Sequence, residues 1–172
     1  SSAAEATSSA TGPHKRTTAV AGHLASRGQL FWAGVTLLLA SLMDMLDGAL
    51  ARLTGKANKF GAALDSVTDR LAEAIILLGL LMYYVRSGDS VGAYLAFGAM
   101  VASFMVSYIR ARGEGLGIAM KESGLVTRTE RVIVMFVGLL TGWATAALVI
   151  ILATSAFSAF QRMYHVWKAT RE

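Results

Sequence analysis

The chain contains no cysteine and one proline in 172 residues. The first absence rules out disulfides. The long apolar runs contain no proline, which suits unbroken helices. Carboxylates are scarce at 11 residues, and no signal-peptide-length apolar core occurs among residues 1–11, which are rich in serine and alanine. Residues 1–28 are expected to form a polar tail, processed, truncated or tag-derived, ahead of a single membrane domain at 29–172. What is abundant is hydrophobic sequence, 55% of the chain with a mean hydropathy of +0.53. That composition fits an all-α polytopic helical membrane bundle and not a soluble core.

A spanning helix needs about 20 mostly apolar residues. Candidates run from Leu30 to about Leu46, from Phe60 through Val85, and from Val91 to Ile109. The apolar stretch from Val132 to Phe160 is 29 residues long and offers a break at Thr141-Gly142, which predicts a helical hairpin. About five spans result. Arg86-Ser-Gly-Asp-Ser90 reads as a short turn on one side of the membrane, and the linker 110–131 and the C-terminus fall on the other. Of the 16 Lys and Arg residues only Arg27 and Arg86 lie on the side of that turn, so the opposite side is cytosolic by the positive-inside rule. Lys15 and Arg16 look cytosolic as well, yet too few residues separate them from Arg27 for a crossing. Either Ala19 to Ala25 is the remnant of a further helix, or the N-terminal segment has another role.

Four of the five aspartates, Asp44, Asp47, Asp65 and Asp69, fall within one 26-residue window at the cytosolic edge of this apolar sequence. Ionised carboxylates near membrane depth cost several kcal/mol each unless paired or metal-bound. Asp44 and Asp47 are spaced i, i+3 and Asp65 and Asp69 i, i+4, so each pair shares a helical face. Two antiparallel helices carrying such pairs can surround one or two hard cations. Magnesium suits oxygen donors, and it keeps waters and bridges to phosphates. Gly48 leaves room for a ligand near the backbone, and Arg52 lies two turns past Asp44 as a possible phosphate donor. The competing reading is a solvated hairpin neutralised by Arg52, Arg70 and the lysines. Four aspartates with no glutamate at these spacings argue against it.

The string Asp44-x-x-Asp47-Gly48-x-x-Ala51-Arg52, followed after eight residues by Gly61-x-x-x-Asp65-x-x-x-Asp69, resembles the signature of the CDP-alcohol phosphotransferases. The resemblance runs from about Phe31 to Trp167. It implies an integral membrane enzyme, with six spanning helices expected and a homodimer as the usual assembly. By the same resemblance Asp44, Asp47, Asp65 and Asp69 would hold two divalent cations, magnesium or alternatively manganese, and Asp69 would be the general base. Gly48, Ala51, Arg52, Asn58 and Gly61 would bind the cytidine diphosphate donor. Asn58 departs from the threonine or serine usual there, while keeping a donor for phosphate.

A second basic set follows: Tyr108-x-Arg110-x-Arg112-x-Glu114, Lys121, Arg128-x-x-Arg131 and Gln161-Arg162. Positive-inside topology alone accounts for such residues, but guanidinium forks also grip phosphates. The pattern is similar to the branch of the family that joins CDP-diacylglycerol to inositol 1-phosphate and releases CMP. That likeness implies acceptor binding by Arg110, Arg112, Arg128 and Arg162, with Arg131 and Lys121 as weaker candidates. The expected partners are CDP-diacylglycerol, inositol 1-phosphate, membrane lipid and a second copy of the chain, with no nucleic acid. The expected location is the cell membrane, with the active site facing the cytoplasm. One rival keeps the chemistry and takes glycerol 3-phosphate as acceptor. Another makes the aspartates the transit site of a divalent-cation transporter, against which Arg52 and the basic pocket argue.

Other features carry less. Gly113-x-Gly115-x-Gly117 follows a predicted helix and reads as a linker, not a nucleotide loop. Gly138-x-x-x-Gly142 fits either a packing face or the hairpin turn. Trp32, Trp143 and Trp167 read as interfacial anchors. His14, His23 and His165 show no ligand spacing.

Overall fold

The computed structural model describes residues 13–53, 59–120 and 127–171, with side chains described from 17–43, 60–120 and 127–171. These residues form helices α1 (Pro13–Ser26), α2 (Leu30–Leu53), α3 (Lys59–Ser87), α4 (Ser90–Gly115), α5 (Arg128–Thr141) and α6 (Ala144–Ala169), with no strand among them. Positive-φ glycines make three of the turns: Gly28 between α1 and α2, Gly88 between α3 and α4, and Gly142 between α5 and α6. Asp89 caps α4 by accepting the Gly92 N–H at 2.9 Å. At the start of α5 the Glu130 carboxylate accepts the Thr127 N–H.

The hairpin predicted at Thr141-Gly142 is present, and Gly138 serves the packing role as well. A Cβ there would collide with that of Ala147, so α5 and α6 approach closely at this point. Two helices run past the apolar segments expected for them: α2 continues to Leu53 and α4 to Gly115, into the expected linker. Backbone hydrogen bonding carries a helix past the point where hydrophobicity stops.

Part of the expected polar tail is folded. Residues 13–26 form α1, with Thr18, Ala21 and Ala25 buried. Small residues rather than large apolar ones make this packing. A Cβ on Gly22 would lie 2.8 Å from the Ile75 carbonyl oxygen, and one on Gly79 would strike the Gly22 carbonyl. The Arg86 Nη1 donates to the Ser26 carbonyl at 3.2 Å, closing the end of α1.

The core runs through Leu37 on α2, Ile76, Leu77 and Leu80 on α3, Ala96 and Ala99 on α4, Met135 and Leu139 on α5, and Leu148 and Ile151 on α6. Helices α4 and α6 pack together over much of their length, and buried alanine and serine recur on both, among them Ala99, Ala102 and Ser103 of α4 and Ala144, Ala147 and Ser155 of α6. Among the described residues, α4 and α6 are the helices that are long and apolar enough to cross a membrane. Large apolar side chains face outward on α3, α4 and α6, including Leu71, Leu78, Phe97, Phe104, Ile150 and Phe160.

Candidate functional site

A narrow cleft opens among α1, α2, α3, α5 and α6. Its α2 wall is Leu37, Ala40 and Ser41, and its α3 wall is Thr68, Asp69, Ala72, Glu73 and Ile76. Arg128, Arg131, Val132 and Met135 of α5 close it, with Thr18 and Ile151 completing the lining. The α2 stripe 37, 40, 41 continues at helical spacing to positions 44 and 47. The α3 stripe 76, 72, 69 continues in the opposite direction to Asp65 and Gly61. By helical register alone, positions 44 and 47 of α2 and 65 and 69 of α3 follow the cleft-lining stripes, and Asp69 is the one of the four that lines the described cleft.

Asp69 is largely buried, with 18% of its side chain exposed, and its Oδ2 lies 2.6 Å from Arg128 Nη1. Asp65 and Gly61, toward the start of α3, are exposed. Asp44, Asp47, Gly48, Ala51 and Arg52 lie in the last turns of α2 with their side chains outside the described residues, and Asn58 lies outside them altogether. Among the described residues no group of three carboxylate or imidazole side chains converges. The oxygen donors lining the cleft are the Asp69 and Glu73 carboxylates and the Thr18, Ser41 and Thr68 hydroxyls, with the Arg128 and Arg131 guanidinium groups beside the two carboxylates. Such a donor set fits a hard divalent cation.

One turn deeper, Arg131 makes a two-toothed pair with Glu73. Its Nε lies 2.8 Å from Oε1 and its Nη2 3.1 Å from Oε2, with the arginine side chain 3% exposed. Sequence reasoning ranked Arg131 low and passed over Glu73. The signal was there, because Glu73 follows Asp69 by four residues on the same face.

The four arginines expected to bind the acceptor are not all in one place. Arg128 is in the cleft with Asp69. Arg162 of α6 is buried, donates from Nη1 to the Val106 carbonyl at 2.8 Å, and lies within electrostatic reach of Arg110, Arg131 and Glu114. Arg110 pairs with Glu114 at 2.9 Å and lines a separate groove between α3 and α4, where Arg70 and Tyr108 also lie. Arg112, two residues on, is exposed on a different side of α4. His165 meets the Ala119 carbonyl at 3.1 Å, a contact that ties α6 to the segment after α4.

Residues 17–161 match the CDP-alcohol phosphatidyltransferase family. The chain is 38% identical over 161 residues to the phosphatidylinositol phosphate synthase of Corynebacterium glutamicum, covering 89% of this chain and 73% of that one. It is 35% identical over 147 residues to the archaetidylinositol phosphate synthase of Methanothermobacter thermautotrophicus, covering 82% and 72%. Its fold is similar to the crystal structure of Mycobacterium tuberculosis phosphatidylinositol phosphate synthase with CDP-DAG bound, at a TM-score of 0.83 and 27% identity over 90% of this chain and 82% of that one. The same mycobacterial enzyme in complex with manganese and citrate gives a TM-score of 0.80 at 27% identity, over 90% and 78%. By sequence and by fold, the chain belongs to the CDP-alcohol phosphatidyltransferase family.

Proposed function

We propose that this chain transfers a phosphatidyl group from CDP-diacylglycerol to inositol 1-phosphate and releases CMP. The observation that carries the reading is the apposition of Asp69 and Arg128 across the cleft. It sets a base candidate beside a phosphate-binding cation, within a fold whose mycobacterial counterpart was solved with CDP-DAG. The acceptor hydroxyl attacks the β-phosphorus of the donor, and the bond from that phosphorus to the CMP oxygen breaks. Asp69 takes the hydroxyl proton. Arg128 grips the acceptor phosphate through a charge-assisted bond and so must part from Asp69 as the acceptor enters. Arg110, Arg112 and Arg162 are the further candidates for the acceptor phosphate.

Positions 44 and 47 on α2, with Asp65 and Asp69 on α3, are the proposed ligands of two divalent cations, magnesium or manganese. When bound, these cations supply charge neutralisation for the diphosphate and for the leaving CMP. Gly48, Ala51, Arg52, Asn58 and Gly61 are the proposed donor-binding positions. The outward-facing apolar side chains of α3, α4 and α6 support a multi-pass membrane bundle. The confinement of basic residues supports a cytosol-facing site, and a homodimer is the proposed assembly. The test is CMP release in detergent from CDP-diacylglycerol and inositol 1-phosphate. Activity is expected to vanish on chelation and return with magnesium or manganese.

A further inference from the structure

Glu73 belongs to no motif, yet it forms half of a buried ion pair that crosses the cleft. Helix α3 packs on α1 and α4, while α5 packs on α2 and α6, so α3 and α5 face each other mainly through side chains. Two rungs bridge them: Asp69 to Arg128 at the cleft mouth and Glu73 to Arg131 one turn deeper. In the outer rung Arg128 Nη1 lies 2.6 Å from Asp69 Oδ2, with the arginine side chain 36% exposed. In the proposed reaction both of its members take on other work, so it cannot also hold the two helices in register. The inner rung has no such duty. Its two parallel N–H···O bonds fix both the separation and the rotation of the planar guanidinium.

We propose that Glu73 is a positioning residue: by holding Arg131 in this fork it sets α5 against α3, so that Arg128 stands where the acceptor phosphate must bind beside Asp69. The assignment rests on the function proposed above. Charge around the rung points the same way. Arg162 is within electrostatic reach of Arg131, so without Glu73 two buried cations would share one corner of the molecule. Arg131 would then be free to turn toward Asp69, the next carboxylate along the same face of α3.

The test compares Glu73→Gln and the double variant Glu73→Gln/Arg131→Met with wild type, in detergent and at saturating magnesium. The readouts are the melting temperature and the KM for each substrate. Glu73→Gln is expected to raise the KM for inositol 1-phosphate about tenfold or more, while the KM for CDP-diacylglycerol stays within about twofold. The double variant removes the unpaired buried charge, which often restores stability. It is expected to melt near the wild-type temperature and still show the raised acceptor KM, which keeps the question open to test if the single variant folds poorly. An acceptor KM that is unchanged or lowered in Glu73→Gln overturns the assignment, because it would mean that Glu73 merely occupies Arg131. A double variant with a wild-type acceptor KM overturns it too. If the wild type prefers another phosphorylated acceptor, the acceptor reading fails and the same KM split is read with that acceptor. No CMP release from wild type with any acceptor overturns both.

Discussion

At the scale of single residues, the cleft assigns unequal work to groups that look alike in sequence. Arg128 and Arg131 are three residues apart on α5, yet one is partly exposed at the mouth and the other is locked to Glu73. The account makes Arg128 the phosphate contact. A hydrogen bond to a charged group is worth about 1.5–3 kcal/mol. Arg128→Met is therefore expected to raise the KM for inositol 1-phosphate by about ten- to a hundredfold, with Arg128→Lys losing less. Steady-state kinetics with varied acceptor measures this, and an unchanged KM would remove Arg128 from the acceptor site. Spacing made the carboxylate face legible as far as Asp69, because aspartates recur at i, i+3 and i, i+4 in a surround where charge is costly. Glu73 prolongs the same face but differs in residue type. Its partner lies 58 residues away, and no local pattern reports that separation.

Among helices, α3 to α6 were legible from their apolar sequence, although among the described residues only α4 and α6 are long and apolar enough to cross a membrane, and Gly142 marked the hairpin. The packed part of α1 was legible only as a helical remnant at Ala19 to Ala25, because hydropathy weighs side-chain size and this helix packs by lacking it. Gly22 of α1 and Gly79 of α3 bring two backbones together where a methyl group has no room. Gly79→Ala is accordingly expected to push α1 off α3 and to cost about 1–3 kcal/mol, the usual range for overpacking. Thermal melting in detergent checks it, and an unaltered midpoint would mean the contact relaxes without loss. Since Thr18 of α1 lines the cleft, the same displacement also loosens one wall of the site.

For the whole molecule, the absence of cysteine becomes an experimental advantage, since any single cysteine introduced is the sole thiol. The proposed topology puts Ser87, beside the α3–α4 turn, and Thr170, at the end of α6, on opposite sides of the membrane. An impermeant maleimide is expected to label the Ser87→Cys variant in intact cells and the Thr170→Cys variant only after permeabilisation. The reverse pattern would turn the site away from the cytosol. The proposed donor-side residues lie close together in the chain, where helical spacing alone groups them. The arginines expected to bind the acceptor come from α4, α5 and α6, and sequence order could not foretell that Arg110 and Arg128 would line separate clefts. The most direct measurement is CMP release from CDP-diacylglycerol with inositol 1-phosphate, glycerol 3-phosphate and free inositol offered in parallel, for wild type and Asp69→Asn. The account predicts preferential turnover of inositol 1-phosphate, reduced about a hundredfold or more in Asp69→Asn, as for loss of a general base. Preference for another acceptor, or full activity in Asp69→Asn, would contradict it.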